Sequence, residues 1–167
     1  MDIGALKKML RERRIGFAMD EVMTGTHRFV NGAGPEGERP MSFRVTWGTR
    51  RLWPYLNPRD PNFMSNFLEG AVTVDGLVED APCRGRLDLL YFSDAKIRYT
   101  FDFKDAQGRP FRYIGEKVNI RPWNLHRTHA TCYGTVTDLE TGKDISKSVL
   151  YFRWNTLPSF LASLRLM

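Results

Sequence analysis

The sequence predicts an all-β, mainly antiparallel barrel with a short N-terminal helix, and three observations carry this prediction. Apolar and polar side chains alternate strictly from Ile97 to Lys104, as expected of a strand with one buried and one solvent-facing side. Similar segments recur along the chain and are separated by turn residues. Aromatic residues, which suit pleated surfaces and large cores, make up 13% of the 167 residues. This length fits one domain spanning residues 1–167.

Residues 1–15 predict a short amphipathic helix. Ile3, Leu6 and Leu10 recur at helical spacing with basic residues between them, and Gly16 ends the pattern. We expect this helix to pack across one end of the domain, because a single short helix buries too little apolar surface to hold the protein on a membrane.

From residue 17 the apolar period changes to two, which predicts strands over 17–29 and 41–47. Residues 49–63 then hold three prolines, too many for a central strand, together with several aromatic side chains. This Pro- and aromatic-rich loop either covers an open end of the barrel or is held in place by its own aromatic residues.

Six further strands complete the predicted barrel. They cover residues 67–74, 85–92, 97–104, 110–118, 128–139 and 146–154. The tail, residues 158–167, is predicted as a helical turn or a final short strand. Strands of this length would leave wide unpaired edges in an open sheet, and closure removes such edges. Glycines that permit the necessary curvature lie at positions 25, 70, 115 and 134.

Short motifs along almost the whole chain carry a resemblance to a known family. They are Phe17-x-Met-x-Glu21-x-Met-x-Gly25, Gly70-x-Val72, Gly85-Arg-Leu-Asp-Leu89, Arg98-Tyr99 with Gly108, Tyr113-x-Gly-x-Lys117, Tyr151-Phe152 and Pro158-x-Phe160-Leu161. In this order they resemble the β-barrel module appended to cholesterol-oxidase-like flavoproteins of the GMC oxidoreductase class. The resemblance implies a lipocalin-like, calycin-like barrel with no catalytic residues of its own.

The resemblance also has implications for function. A Gly-x-Gly-x-x-Gly does occur at residues 32–37, but it leads into the strand predicted at 41–47 rather than into a helix, so no flavin-binding domain is predicted. A free-standing version of the module is therefore implied. It would either serve a partner flavin oxidoreductase or bind a sterol-like or lipid-like molecule itself.

Two charged residues are predicted to point into the apolar interior. Glu21 shares its strand face with Met19 and Met23. Lys117 shares its strand face with Tyr113. An isolated charge inside a protein is strongly unfavourable, so the two are expected to pair. The two residues either form a structural ion pair, or are partly exposed at the barrel rim, or act as a polar anchor at the base of an apolar pocket that orients a ligand.

The leading functional hypothesis is non-catalytic binding of a small, largely apolar molecule inside the barrel. Its predicted lining combines large inward side chains with the two charges and consists of Met19, Glu21, Met23, Tyr99, Phe101, Tyr113, Lys117 and Phe152. The alternative hypothesis is an accessory or interaction module for a partner flavin oxidoreductase, without a ligand of its own.

Metal, haem and covalent chemistry find little support in the sequence. His126, His129 and Cys132 are spaced three apart, but on a strand His129 faces away from the other two. A metal site would then need His27 from another strand, and His27 is also the candidate haem ligand. Neither Cys83 nor Cys132 lies in an activating motif, and no Gly-x-Ser-x-Gly elbow occurs. No catalytic residue, metal or cofactor is therefore predicted.

The net charge of +6 is dispersed, with one dense basic run at residues 7–14 and an Arg50–Arg51 pair. A solvated basic surface is favoured over a nucleic-acid footprint. With only two cysteines, the chain is not predicted to be a protein held together by disulfides. Residues 1–10 lack the apolar core of a secretory signal. No transmembrane segment is predicted, and the expected location is the cytoplasm.

Overall fold

The computed structural model describes residues 15–121, 123–124 and 131–167, together with Ile3, Gly4 and Lys8 and only the backbone of Trp154. Eight strands follow one another in up-and-down order, each antiparallel to the next, and the sheet closes where the first strand pairs with the eighth. Each of the eight strands is hydrogen-bonded on both sides, so the barrel leaves none of them as a free edge. The predicted all-β antiparallel barrel is confirmed.

The eight barrel strands are long, and two short helices lie between or after them in residues 15–167 as far as these are described. The strands are β1 (Phe17–Phe29), β2 (Arg39–Thr49), β3 (Ser65–Val74), β4 (Val78–Leu90), β5 (Lys96–Lys104), β6 (Pro110–Lys117), β7 (Thr131–Asp138), β8 (Asp144–Phe152) and a short β9 (Arg165–Leu166) beside β1. The helices are α1 (Leu52–Leu56) and α2 (Leu157–Ala162), and a single 3₁₀ turn (Trp154–Thr156) precedes α2.

Strand β4 differs most from its prediction, because it already begins at Val78 rather than at residue 85. The added segment contains Pro82, which has no N–H for the sheet, and Asp80, whose φ is +48°. The register between β3 and β4 shifts here, and the N–H of Asp80 donates to the hydroxyl of Thr73 at 2.9 Å. A bulge therefore keeps a proline-containing segment inside the sheet.

The last third of the chain follows the prediction with shifted ends. Strand β7 covers residues 131–138 of the predicted strand 128–139, whose residues 128–130 lie outside the described residues. Strand β8 ends at Phe152 rather than at residue 154, where the 3₁₀ turn begins. The tail adopts both predicted forms, since it contains α2 and β9.

The segments at the start of the chain and at residues 49–63 are helical in part. Ile3, Gly4 and Lys8 are helical, while most of the predicted 1–15 helix lies outside the described residues. In the 49–63 loop, Tyr55 of α1 is buried and its ring meets that of Phe17 edge to face at 5.4 Å. This contact holds the loop against the barrel. None of the described helices is long and apolar enough to cross a membrane.

The connections between strands differ at the two ends of the barrel. Strands β3, β5 and β7 are followed by brief turns at one end. The opposite end, where β1 begins and β6 and β8 finish, carries the longer connections with α1 and α2. We call it the Glu21 end, because Glu21 points inward there from β1. Longer connections commonly carry binding sites on a rigid scaffold, so this is the end at which a binding site is expected.

Aromatic side chains fill the middle of the barrel. Phe43, Phe101 and Tyr113 are each at most 1% exposed, and the rings of Phe101 and Tyr113 lie 4.9 Å apart. Phe43 contacts both of these rings at centroid distances of 5.4 and 5.8 Å. Side chains this completely covered leave no water-sized space beside them, so the middle of the barrel is a packed core.

The four glycines expected to permit curvature serve two different packing arrangements. At Gly70 a Cβ atom would lie 2.0 Å from the carbonyl oxygen of Arg44 on the neighbouring strand, and Gly25 has a similar backbone contact. At Gly115 and Gly134 the space is instead taken by the side chain of Tyr113, whose hydroxyl oxygen lies within 2.5 Å of where a Cβ would lie. Glycine is needed at positions 25 and 70 because neighbouring strands approach closely, and at positions 115 and 134 because the large side chain of Tyr113 occupies the space.

Candidate functional site: a buried ion pair at one end of the barrel

Glu21 and Lys117 form an ion pair across the inside of the barrel. Their strands, β1 and β6, are not neighbours in the sheet, so the contact spans the interior. The ammonium nitrogen of Lys117 lies 2.9 Å from Oε1 of Glu21, and both side chains are only 4% exposed. The predicted inward direction and pairing are thus present in the structure. The alternative of a rim-exposed pair does not fit side chains this buried.

Two further donors serve the carboxylate of Glu21. The hydroxyl of Tyr99 lies 3.0 and 3.1 Å from its two oxygens, and the indole Nε1–H of Trp47 donates to Oε2 at 3.0 Å. Burial, and next the negative charge of Glu21, raise the pKa of Tyr99 well above its ordinary value. Tyr99 therefore keeps its proton at neutral pH and acts as a donor. Three donor groups satisfy the carboxylate.

Lys117 has fewer hydrogen-bond partners than Glu21 among the described residues. Its ammonium group lies 5.2 Å from the ring centre of Tyr99 and 5.9 Å from that of Phe152, both within cation–π range. Within the described part of the chain, its one hydrogen bond is to Glu21. An ammonium group has three N–H donors, and the described residues provide a hydrogen-bond acceptor for one of them. The site is asymmetric, with a saturated anion and an unsaturated cation.

The remaining predicted lining residues fall into two groups. Met23, Phe101 and Tyr113 point inward as expected but belong to the packed middle of the barrel, where each is at most 1% exposed. Met19 is half-buried and Phe152 is 9% exposed, and both lie at the Glu21 end. The structure therefore places Tyr99 and Phe152 against the ion pair and Met19 at the same end of the barrel, whereas Met23, Phe101 and Tyr113 lie deeper.

Two residues of the site are absent from the predicted lining. Trp47 lies near the end of β2, directly opposite Met19. Its inward direction follows from the alternation of Phe43, Val45 and Trp47, which is a signal that the sequence contains. Phe160 of α2 packs on Trp47 at 6.5 Å and, edge to face, on the ring of Phe152 at 5.3 Å. No local pattern shows where a tail helix will dock.

His27 lies away from this site, near the opposite end of the barrel. It is buried, with Nε2 2.9 Å from the carbonyl oxygen of Asp75 and Nδ1 2.8 Å from the hydroxyl of Ser146. A carbonyl oxygen only accepts, so Nε2 carries the proton and Nδ1 accepts from Ser146. Both ring nitrogens are thus used in a neutral, structural histidine rather than a metal or haem ligand.

This histidine gives the fold a specific pH dependence. Burial lowers the pKa of His27 below its ordinary value of 6.5. As pH falls through that value the unfolded chain binds a proton while the folded chain does not, so the free energy of unfolding should decrease between about pH 7 and pH 5. Urea unfolding across this range measures the effect. In His27→Gln the decrease should be smaller, and an identical pH profile in both proteins would contradict the assignment.

The cysteines are suited to packing rather than to covalent chemistry. Burial raises the pKa of Cys83 to about 12 and that of Cys132 to about 11, so both thiols are protonated at neutral pH. Among the described residues, no three histidine, cysteine or acidic side chains are grouped to hold a metal ion. The candidate ligands His126 and His129 lie outside the described residues.

An open groove of about 750 Å³ lies on the outer wall of the barrel, away from the ion pair. Its described lining includes Glu69, Pro82 and Lys104 and none of the predicted lining residues. The groove and the buried polar cluster around Glu21 are therefore different places. In the cluster, three donor groups converge on the carboxylate of Glu21.

Comparison of the chain with protein-family models, with curated proteins and with solved structures gives no match.

Proposed function

We propose that the protein binds a small, largely apolar, lipid- or sterol-like molecule at the Glu21 end of its barrel, without catalysis. The observation that carries the proposal is the buried ammonium group of Lys117, which donates to a single oxygen among the described residues. Buried donors without acceptors are unfavourable, so a ligand oxygen placed against Lys117 would gain hydrogen bonds from a group already in position.

The apolar part of such a ligand has suitable neighbours at this end. Trp47, Leu89 and Tyr91 are partly buried and pack against the core while keeping some exposed surface. Ligand sites usually combine apolar walls with a few placed polar groups. The packed middle of the barrel limits the ligand to the Glu21 end, so the proposed site is smaller than the full predicted lining.

Helix α2 supplies a route into the site. Phe160 covers Trp47 and Phe152, yet no residue of this six-residue helix is fully buried. Short segments with few buried contacts open at low free-energy cost, so an incoming ligand could displace α2 at low cost. Its movement would uncover the ring of Phe152 beside Lys117.

Native mass spectrometry with a panel of sterols, long-chain alcohols and esters tests the proposal directly. We expect a one-to-one complex with at least one class, and a loss of affinity of about tenfold in Lys117→Met, because a buried hydrogen bond from a charged donor contributes roughly 1.5–3 kcal/mol. Lys104→Met is the matched control, since Lys104 is exposed at the other end of the barrel. No complex with any class, or equal affinity in both variants, would overturn the proposal.

A second candidate function is docking to a partner flavin oxidoreductase. It is supported by a stripe of large side chains on the outer wall of β6, β7 and β8. Ile114, Tyr133 and Tyr151 are 40%, 55% and 49% exposed there, and exposed apolar groups on adjacent strands commonly mark interaction surfaces. Co-purification of a flavoprotein that fails with Tyr133→Ser would favour this candidate over ligand binding.

Both cysteines are free and buried, which agrees with a reducing compartment. We therefore propose the cytoplasm as the place where either function is carried out. A free-thiol assay under denaturing conditions on protein from its native cells checks the redox state.

A further inference from the structure

The charges inside the Glu21 end bear on which polar group a bound ligand can carry there. Glu21 and Lys117 contribute one negative and one positive charge, and both are almost fully buried. The nearby Asp88 and Glu116 do not change this sum, since each is paired with basic side chains on the outer side of the sheet. Among the described residues, the interior at this end is therefore electrically neutral.

A carboxylate ligand would disturb this balance. To reach Lys117 it would have to share one ammonium group with the carboxylate of Glu21, which lies 2.9 Å from that nitrogen. Two carboxylates and one ammonium leave a net negative charge in a site screened from water, where like charges repel strongly. Tyr99 and Trp47 already donate to Glu21, so they do not serve a second anion.

An uncharged acceptor meets no such penalty. The oxygen of a ketone, ester or alcohol can accept one of the remaining N–H groups of Lys117 without adding charge. The neutral pair then stays intact, and the apolar remainder of the ligand packs against the aromatic rings.

We infer that the site selects an uncharged apolar molecule with an acceptor oxygen over a carboxylate of the same chain length, and that Glu21 determines this preference. The inference rests on the proposed function and specifies its ligand class. Glu21 acts on the ligand through Lys117, so it is a specificity-determining residue rather than a direct contact.

The test compares the methyl ester and the free acid of one medium-chain fatty acid at neutral pH, with binding measured by native mass spectrometry. In the natural protein the ester should bind at least about tenfold more tightly than the acid. In Glu21→Gln the amide keeps the length and an acceptor oxygen but removes the negative charge. The preference should then reverse, because Lys117 is left as an uncompensated cation.

Binding to the natural protein alone tests whether the site prefers the ester over the acid, so this part of the test does not depend on the stability of Glu21→Gln. Tighter binding of the acid by the natural protein overturns the inference and leaves the proposed function standing. Binding of neither compound, nor of any sterol or alcohol, overturns both. Lys117→Met provides a second check, since it should weaken ester binding while leaving the acid excluded. A folded Glu21→Gln that still prefers the ester assigns the selection to another residue.

Discussion

Replacement of Glu21 by leucine is expected to lower the free energy of unfolding by about 3–5 kcal/mol, the range typical of removing one partner from a buried ion pair. The change leaves Lys117 as a buried charge without a counter-charge, since Glu21 is its one hydrogen-bond acceptor among the described residues. It also takes the acceptor from Tyr99 and from Trp47. Because whole domains are stable by only about 5–15 kcal/mol, such a loss is readily measured by urea unfolding.

The double variant Glu21→Leu with Lys117→Met separates the destabilisation caused by the uncompensated charge from that caused by altered packing. Removing both charges avoids the uncompensated cation, so this protein should be more stable than Glu21→Leu alone. Glu38→Leu is the surface control, because Glu38 pairs with Arg28 where both side chains are more than half exposed. Its effect should stay within about 1 kcal/mol. Equal losses in Glu21→Leu and Glu38→Leu would show that the buried pair has no special role.

Replacement of Gly85 by alanine is expected to cost about 3 kcal/mol or more, at the upper end of overpacking effects. Gly85 lies in β4 opposite Phe101, and an added Cβ would lie 1.9 Å from the carbonyl oxygen of Thr100. The obstructing atom belongs to the backbone of a strand paired on both sides, so it cannot rotate away as a side chain can. Relief requires the two strands to move apart.

Gly108→Ala is the matched control for this change. Gly108 has a positive φ of +79° and no atom within 4 Å of an added Cβ, so alanine there meets backbone strain without a clash. Such strain costs about 1–2 kcal/mol. Thermal or urea unfolding of the two variants compares the destabilisation caused by the clash with that caused by backbone strain. A Gly85→Ala protein no less stable than Gly108→Ala would show that the predicted clash does not occur.

Much of the fold was predictable because strand periodicity is a local property. The alternation from Ile97 to Lys104 reappears in β5, where every second residue from Ile97 to Phe103 is buried. The start of β4 was not predictable in the same way. Its first residues include Pro82 and a bulge at Asp80, and a bulge changes the phase of the alternation on which such a prediction depends.

The candidate site was predictable in part. Phase along β1 and β6 placed Glu21 and Lys117 on inward faces, and the cost of burying charge implied that they would pair. The use of Trp47 and Tyr99 as donors to Glu21 depends on how β2 and β5 face one another across the barrel. Distances between strands that are not neighbours are absent from any local pattern.

The sequence by itself determined that this protein is an antiparallel barrel with two opposite charges inside an aromatic interior, because alternation fixes which face of a strand each side chain occupies. Only the tertiary structure decided how that interior is used. The rings of Phe43, Phe101 and Tyr113 close the middle of the barrel, whereas Lys117 at the Glu21 end has fewer partners than donors among the described residues. Packing density and hydrogen-bond partners are set by strands brought together from distant parts of the chain, and only their final positions show whether a space is filled.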